Sequence, residues 1–204
     1  MSLILGLLEL YQTDFQDRWF TAAEELAQEM IELFEDPNGG FFDTSNEGEE
    51  LLLRPRDLQD NATPSGNALA CEALLKLAAF TDNGSYRDRA EKSLGLISNF
   101  AARYPTSFGR WLSAADFALG QVKQVAVTYA SELEEARPLL QTIQSGYRPN
   151  MVVAASSLPP AENAPSLLME RPLKESKPTV YVCEGFVCKM PVNTISELEG
   201  LLVT

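Results

Sequence analysis

Residues 67–80 read "NALACEALLKLAAF". Eleven of these fourteen positions are apolar, and they leave no face of a helix for water. A helix of that kind is covered on both sides. The stretch before it, "RPRDLQDNATPSG" (54–66), is dense in charges and amides. It ends in helix-start chemistry. Thr63 or Ser65 suits the cap, Pro64 the first turn, and Gly66 allows another backbone or a ligand to come close.

Other segments sort by the same test. Residues 3–11, "LILGLLELY", and 108–119, "FGRWLSAADFAL", are apolar almost all round. Residues 17–34 carry one stripe: Trp19, Ala23, Leu26, Met30 and Leu33. Residues 86–102 carry another: Tyr86, Ala90, Leu94, Ile97 and Phe100. Fully apolar and one-stripe helices alternate, as inner and outer layers would. The pattern also repeats at an offset of 67 residues, pairing Leu7 with Leu74, Trp19 with Tyr86 and Met30 with Ile97. Helical hairpins that repeat bury their faces by stacking on neighbours.

The expected fold is therefore mainly α: a partial α/α toroid of helical hairpins over 1–120, with a small α/β appendage over 121–204. A closed ring of six hairpins needs about 350–400 residues, and this chain has 204. It is expected to be the C-terminal part of a longer protein, with "MSL" a leader rather than a natural start. Its open hairpin edge would promote self-association.

Beyond residue 121 the period changes. "VKQVAVTYA" (122–130), "MVVAA" (151–155) and "TVYVC" (179–183) predict strands of a parallel sheet. Ser131-x-x-Glu134 and Thr194-x-x-Glu197 predict helix starts. Five prolines between 156 and 178 predict a connection that is mostly loop, with one short helix near 162–170.

Composition excludes several functions. The chain has no histidine, which removes Ser-His-Asp and Cys-His catalysis and imidazole metal sites within it. A net charge of −13 disfavours nucleic acid and anionic lipid. No apolar run reaches the ~20 residues that span a bilayer. Three cysteines and no basic leader point to a reducing, cytoplasmic location. No cofactor is implied.

Candidate site residues gather on the long loop of 35–65. Arg54, Asp57, Asp60, Asn61, Ser65 and Asn67 would line a concave mouth at a helix N-terminus, where carboxylates and amides suit a sugar's hydroxyls. The bland alternative is that the same groups cap helix ends and tie the loop down. Asp116 either faces a central cavity or pairs with Arg110. With Asp57 or Asp60 it would make a carboxylate pair of the glycosidase kind. Cys183 and Cys188 are a candidate redox pair, or ordinary thiols at a strand end. Ten acidic residues lie between 24 and 50 without a Lys or Arg, but Phe41 stands where a calcium loop needs glycine. No metal site is expected.

"GGFFDTS" (39–45), "LLLRPRDLQDNATPSGNALA" (51–70), "PNMVVAA" (149–155) and "PTVYVCEGFVCKMPV" (178–192) together resemble the C-terminal part of the spermatogenesis-associated protein 20 family. The resemblance covers most of the chain. It implies a six-hairpin α/α barrel similar to N-acylglucosamine 2-epimerases and glycosidases, preceded by a thioredoxin-like domain that this chain does not contain. On that footing the expected function is a carbohydrate-binding or carbohydrate-active barrel end. The alternative is a non-enzymatic scaffold or interaction module for the thioredoxin-like domain.

Overall fold

A computed structural model describes residues 1–48 and 52–202. About half of the chain is helical, and four strands form one small sheet. Packing divides it into two units. The first holds Met1–Glu9, Arg18–Ala78 and Asn83–Gly120. The second holds Leu10–Asp17, Ala79–Asp82 and the residues from Gln121 on.

The helices run α1 Ser2–Asp14, α2 Asp17–Phe34, α3 Gly66–Thr81, α4 Gly84–Arg103 and α5 Gly109–Leu119. The 67-residue repeat is visible in their ends. α1 stops at Asp14 and α3 at Thr81; α2 begins at Asp17 and α4 at Gly84. Each first helix is followed by a left-handed residue, Phe15 (φ 55°) and Asp82 (φ 56°). A left-handed residue just past a helix end reverses the chain tightly.

Within the first unit α3 is buried as its sequence demands. Ala68, Ala70, Cys71, Ala73, Leu74 and Leu77 are all fully buried. The thiol of Cys71 donates to the Ala90 carbonyl at 3.5 Å. Burial pushes its pKa up to about 12. In the outer helices α2 and α4, Ala23, Met30, Tyr86, Ala90 and Ile97 are buried as expected, while Phe20, Ala27, Ser93 and Ala101 are each buried one position from an expected stripe residue. Small residues at these positions let the helices approach closely. Leu26, Leu33 and Leu94 are only half-buried, and Phe100 is exposed. α1 and α5 are also less covered than their apolar sequences imply: Leu3, Leu10, Leu112 and Leu119 are exposed.

The second unit holds β1 Lys123–Tyr129, α6 Leu133–Gln144, β2 Met151–Ser157, β3 Thr179–Glu184, β4 Val187–Cys188 and α7 Ile195–Leu202. Strand order is β2-β1-β3-β4. β1 and β2 are parallel, with α6 as the crossover. β3 and β4 are antiparallel, so the sheet is mixed rather than parallel. The connection before β3 permits this direction. It is mostly loop and contains only a 3-10 turn at Ser166–Leu168, so no helix forces a parallel return. β1 is buried along its whole length.

α6 starts one residue later than the Ser131 spacing predicts. Glu132 is its cap, and the Glu135 carboxylate accepts the backbone N–H groups of Ser131 and Glu132 at 3.1 and 2.9 Å. α7 starts as predicted, with the Thr194 hydroxyl 2.6 Å from the Glu197 carboxylate. Tyr11 belongs to this unit and packs edge-on against Phe15 and Phe80, with ring centroids 6.0 and 5.7 Å apart. Gln12 accepts the Val153 N–H at 2.9 Å. Among the described residues no helix is long and apolar enough to cross a membrane.

Candidate functional site

The 35–65 loop folds back on the helices of the first unit. Its start is a tight turn. Asp36 donates its N–H to the Gly40 carbonyl at 2.9 Å, and its carboxylate pairs with Arg56 at 2.7 Å. Phe41 is buried, and the Phe42 N–H donates to the Phe34 carbonyl at 2.8 Å. Glu49, Glu50 and Leu51, the end of the acidic run and the start of the long polar motif, lie outside the described residues.

The six candidate residues separate by role. Asn67, on the first turn of α3, is 1% exposed. Its side chain accepts the Phe41 N–H at 2.6 Å and donates to the carbonyls of Phe41 at 2.9 Å and Asp57 at 3.2 Å. It holds two loop segments on one helix start. Ser65 caps α3: its hydroxyl donates to the Asp57 carbonyl at 3.0 Å and accepts the Ala68 N–H at 3.4 Å. The helix begins at Gly66, so Pro64 precedes the cap instead of filling the first turn.

Asp60 bridges two helices. One carboxylate oxygen accepts the Ser65 N–H and the other the Arg110 N–H, both at 2.8 Å. The second contact satisfies a free amide at the N-terminus of α5, which has no cap of its own from Phe108. Trp111 fixes the same crossing by donating its indole N–H to the Leu58 carbonyl at 2.7 Å. Arg54 donates to the carbonyls of Leu33 and Thr44 and stacks 4.1 Å above the Phe42 ring. Asp57 and Asn61 are exposed and 3.4 Å apart.

The close approach expected at Gly66 lies at Gly40. A Cβ there would stand 2.8 Å from Asn67 Oδ1, and φ is +75°. At Gly66 a Cβ would meet only Met1 Sδ, at 3.2 Å. Asp116 is exposed and lies about 9 Å of helix rise beyond Arg110. Arg110 pairs with Glu72, at 2.5 Å, rather than with Asp116.

That pair belongs to a chain of charges which sequence reasoning missed. Glu9 meets Lys76 at 2.6 Å, Lys76 meets Glu72 at 3.7 Å, and Glu72 meets Arg110. The chain links α1, α3 and α5. The signal was present: Glu72 and Lys76 are the only charges in "NALACEALLKLAAF" and stand one helical turn apart.

Two apolar grooves flank this unit. One, of about 480 Å³, is lined by residues that include Leu3, Ile4, Leu26, Met30, Leu33 and Phe42. The other, of about 600 Å³, includes Leu94, Ile97, Ala101, Leu112, Ala115 and Leu119. None of the six candidate residues lines either groove. In the second unit, Cys183 and Cys188 are joined as a disulfide.

No family model matches the sequence. Among curated proteins, spermatogenesis-associated protein 20 of Mus musculus is 30% identical over 209 aligned positions. These cover 98% of this chain and 26% of that protein. The Homo sapiens protein of the same name matches with the same identity and coverage. An uncharacterised protein of Caenorhabditis elegans is 29% identical, over 98% of this chain and 27% of its own length. The chain thus spans about a quarter of the length of the curated relatives it matches. The similarity to spermatogenesis-associated protein 20 runs along almost the whole of this chain.

Proposed function

We propose that this chain is a non-enzymatic scaffold segment of a longer protein. In this reading its helices form an arc of an α/α toroid, and both ends of the arc pack against further helical hairpins of the same kind. The thioredoxin-like domain implied by the family resemblance is the partner the completed scaffold carries. One observation supports this above the rest: exposed leucines stand at both ends of the helical series, Leu3 beside one groove and Leu112 and Leu119 beside the other. Covering a Leu side chain contributes about 1.5–3 kcal/mol, so each edge is a strong packing surface. The length of the relatives leaves ample chain to cover both.

The test is light scattering after size exclusion, across a concentration series. The chain alone is expected to self-associate through these edges. The double variant Leu112→Glu, Leu119→Glu is expected to be monomeric and equally helical. A chain that is monomeric at every concentration, with grooves indifferent to those substitutions, would remove the scaffold reading.

The carbohydrate reading rests on a different feature. Asp57 and Asn61 are exposed, adjacent hydrogen-bonding side chains on the loop. A thermal-shift panel of sugars and amino sugars separates the two readings, since a ligand that binds the native state stabilises it. A shift lost in Asn61→Ala and kept in the leucine variant would favour the sugar site.

A further inference from the structure

We propose that Cys183 and Cys188 are an exchangeable dithiol–disulfide couple, opened by external dithiols that attack at Cys188. The pair closes the β3–β4 hairpin, where the two residues are antiparallel partners. β4 is the outer strand of the sheet, so one flank of the hairpin is open. The two sulfurs are not equivalent. Cys183 is fully buried, whereas Cys188 is half-buried between exposed Val187 and Lys189. An attacking thiolate therefore reaches Cys188 first.

The surroundings favour Cys183 as the leaving group. An Nη of Arg171 lies 3.9 Å from Cys183 Sγ, and the same guanidinium sits 5.3 Å from the centre of the Tyr181 ring. A fixed cation stabilises the thiolate that departs, and a better-stabilised thiolate leaves faster. The turn is held independently of the sulfurs. Gln124, buried on β1, accepts the Phe186 N–H at 2.8 Å, and Lys189 pairs with Glu184 at 3.3 Å. The hairpin thus keeps the two sulfurs near one another after reduction and can close again.

The exchange balances. One thiolate of the reductant attacks Cys188 Sγ, the S–S bond breaks, and its electron pair leaves on Cys183. The second thiol of the reductant loses its proton and attacks the mixed disulfide. Cys188 is expelled as a thiolate and the reductant closes its own disulfide. The protein pair gains two electrons and, on protonation, two protons, and the dithiol loses both. Arg171 is a positioning residue here and takes no proton.

The experiment equilibrates the full chain with mixtures of reduced and oxidised dithiothreitol, followed by alkylation and mass analysis. We expect Cys183 and Cys188 to gain alkyl groups together in one two-electron transition, with the circular dichroism of the fold unchanged. Buried Cys71 stays unlabelled and serves as the internal control. Arg171→Gln is expected to slow reduction severalfold and to change its pH profile, which a merely structural role would not do. With a monothiol, the trapped adduct should sit on Cys188. The proposal is overturned if the bond opens only under denaturing conditions, if the oxidised chain shows three free thiols, or if the adduct forms on Cys183.

Discussion

Lys76 Nζ lies 2.6 Å from the carboxylate of Glu9, the residue that holds the same place one repeat earlier. The distance between them in sequence is the repeat length itself, 67 residues. Equivalent turns of α1 and α3 therefore face each other, and an acid in one copy meets a base in the next.

The pair at Glu9 should contribute little, because Glu9 is 60% exposed. A double-mutant cycle with Glu9→Gln and Lys76→Met should give a coupling of about 0.2–1 kcal/mol. Glu72 is different: its side chain is 12% exposed and meets both Lys76 and Arg110. Glu72→Ala should cost about 1–2 kcal/mol, because half-buried Arg110 loses its acid while Lys76 keeps Glu9. Urea unfolding of the variants measures both. A Glu72 variant within 0.5 kcal/mol of the parent, a typical surface effect, would sink the idea of a linked chain.

Asn67→Ala should destabilise by about 2–3 kcal/mol, since the Phe41 amide and two carbonyls lose their partner in a buried place. Gly40→Ala should act at the same joint. Its Cβ would overlap Asn67 Oδ1, and its backbone is left-handed. The two effects should not add, because either change breaks the same contact. Denaturant midpoints of both single variants and the double variant decide this.

Asp60→Ala should cost about 1–2 kcal/mol through loss of the α5 amide partner and the Ser65 contact. Asn61→Ala, one residue on and exposed, should stay within about 0.5 kcal/mol. Thermal melts of the two give a direct comparison. Equal losses would mean that the loop is held by something other than the Asp60 carboxylate.

Alkali should unfold the protein cooperatively. Burial raises the phenol pKa of Tyr11, Tyr86, Tyr129 and Tyr181 above the ordinary 10.0. In the unfolded chain these groups ionise near that ordinary value. In the folded chain they stay neutral beyond it. Stability is therefore intact below pH 10 and falls as pH climbs toward the folded values. Tyrosinate absorbance and loss of helix signal should rise together. Gradual tyrosinate formation with an unchanged helix signal would count against it.

The sequence by itself determined the helices, their repeat and the burial of α3, but α1 and α5 look equally apolar and still expose Leu3, Leu10, Leu112 and Leu119. The left-handed residues Phe15 and Asp82, which end the first helix of each repeat, became visible only in the structure. The candidate loop was legible as polar and long, but its roles were not. Whether Asn67 faces a ligand or ties down Phe41 depends on which backbone groups lie within 3 Å, and those come from 26 residues away. The one-position departures within the α2 and α4 stripes have a similar cause. Helical spacing defines an apolar face to within a residue, and close packing then selects Ala27, Ser93 and Ala101, whose small side chains let neighbours in. Only the tertiary structure decided the antiparallel direction of β3, since a loop with no helix in it can return a strand either way.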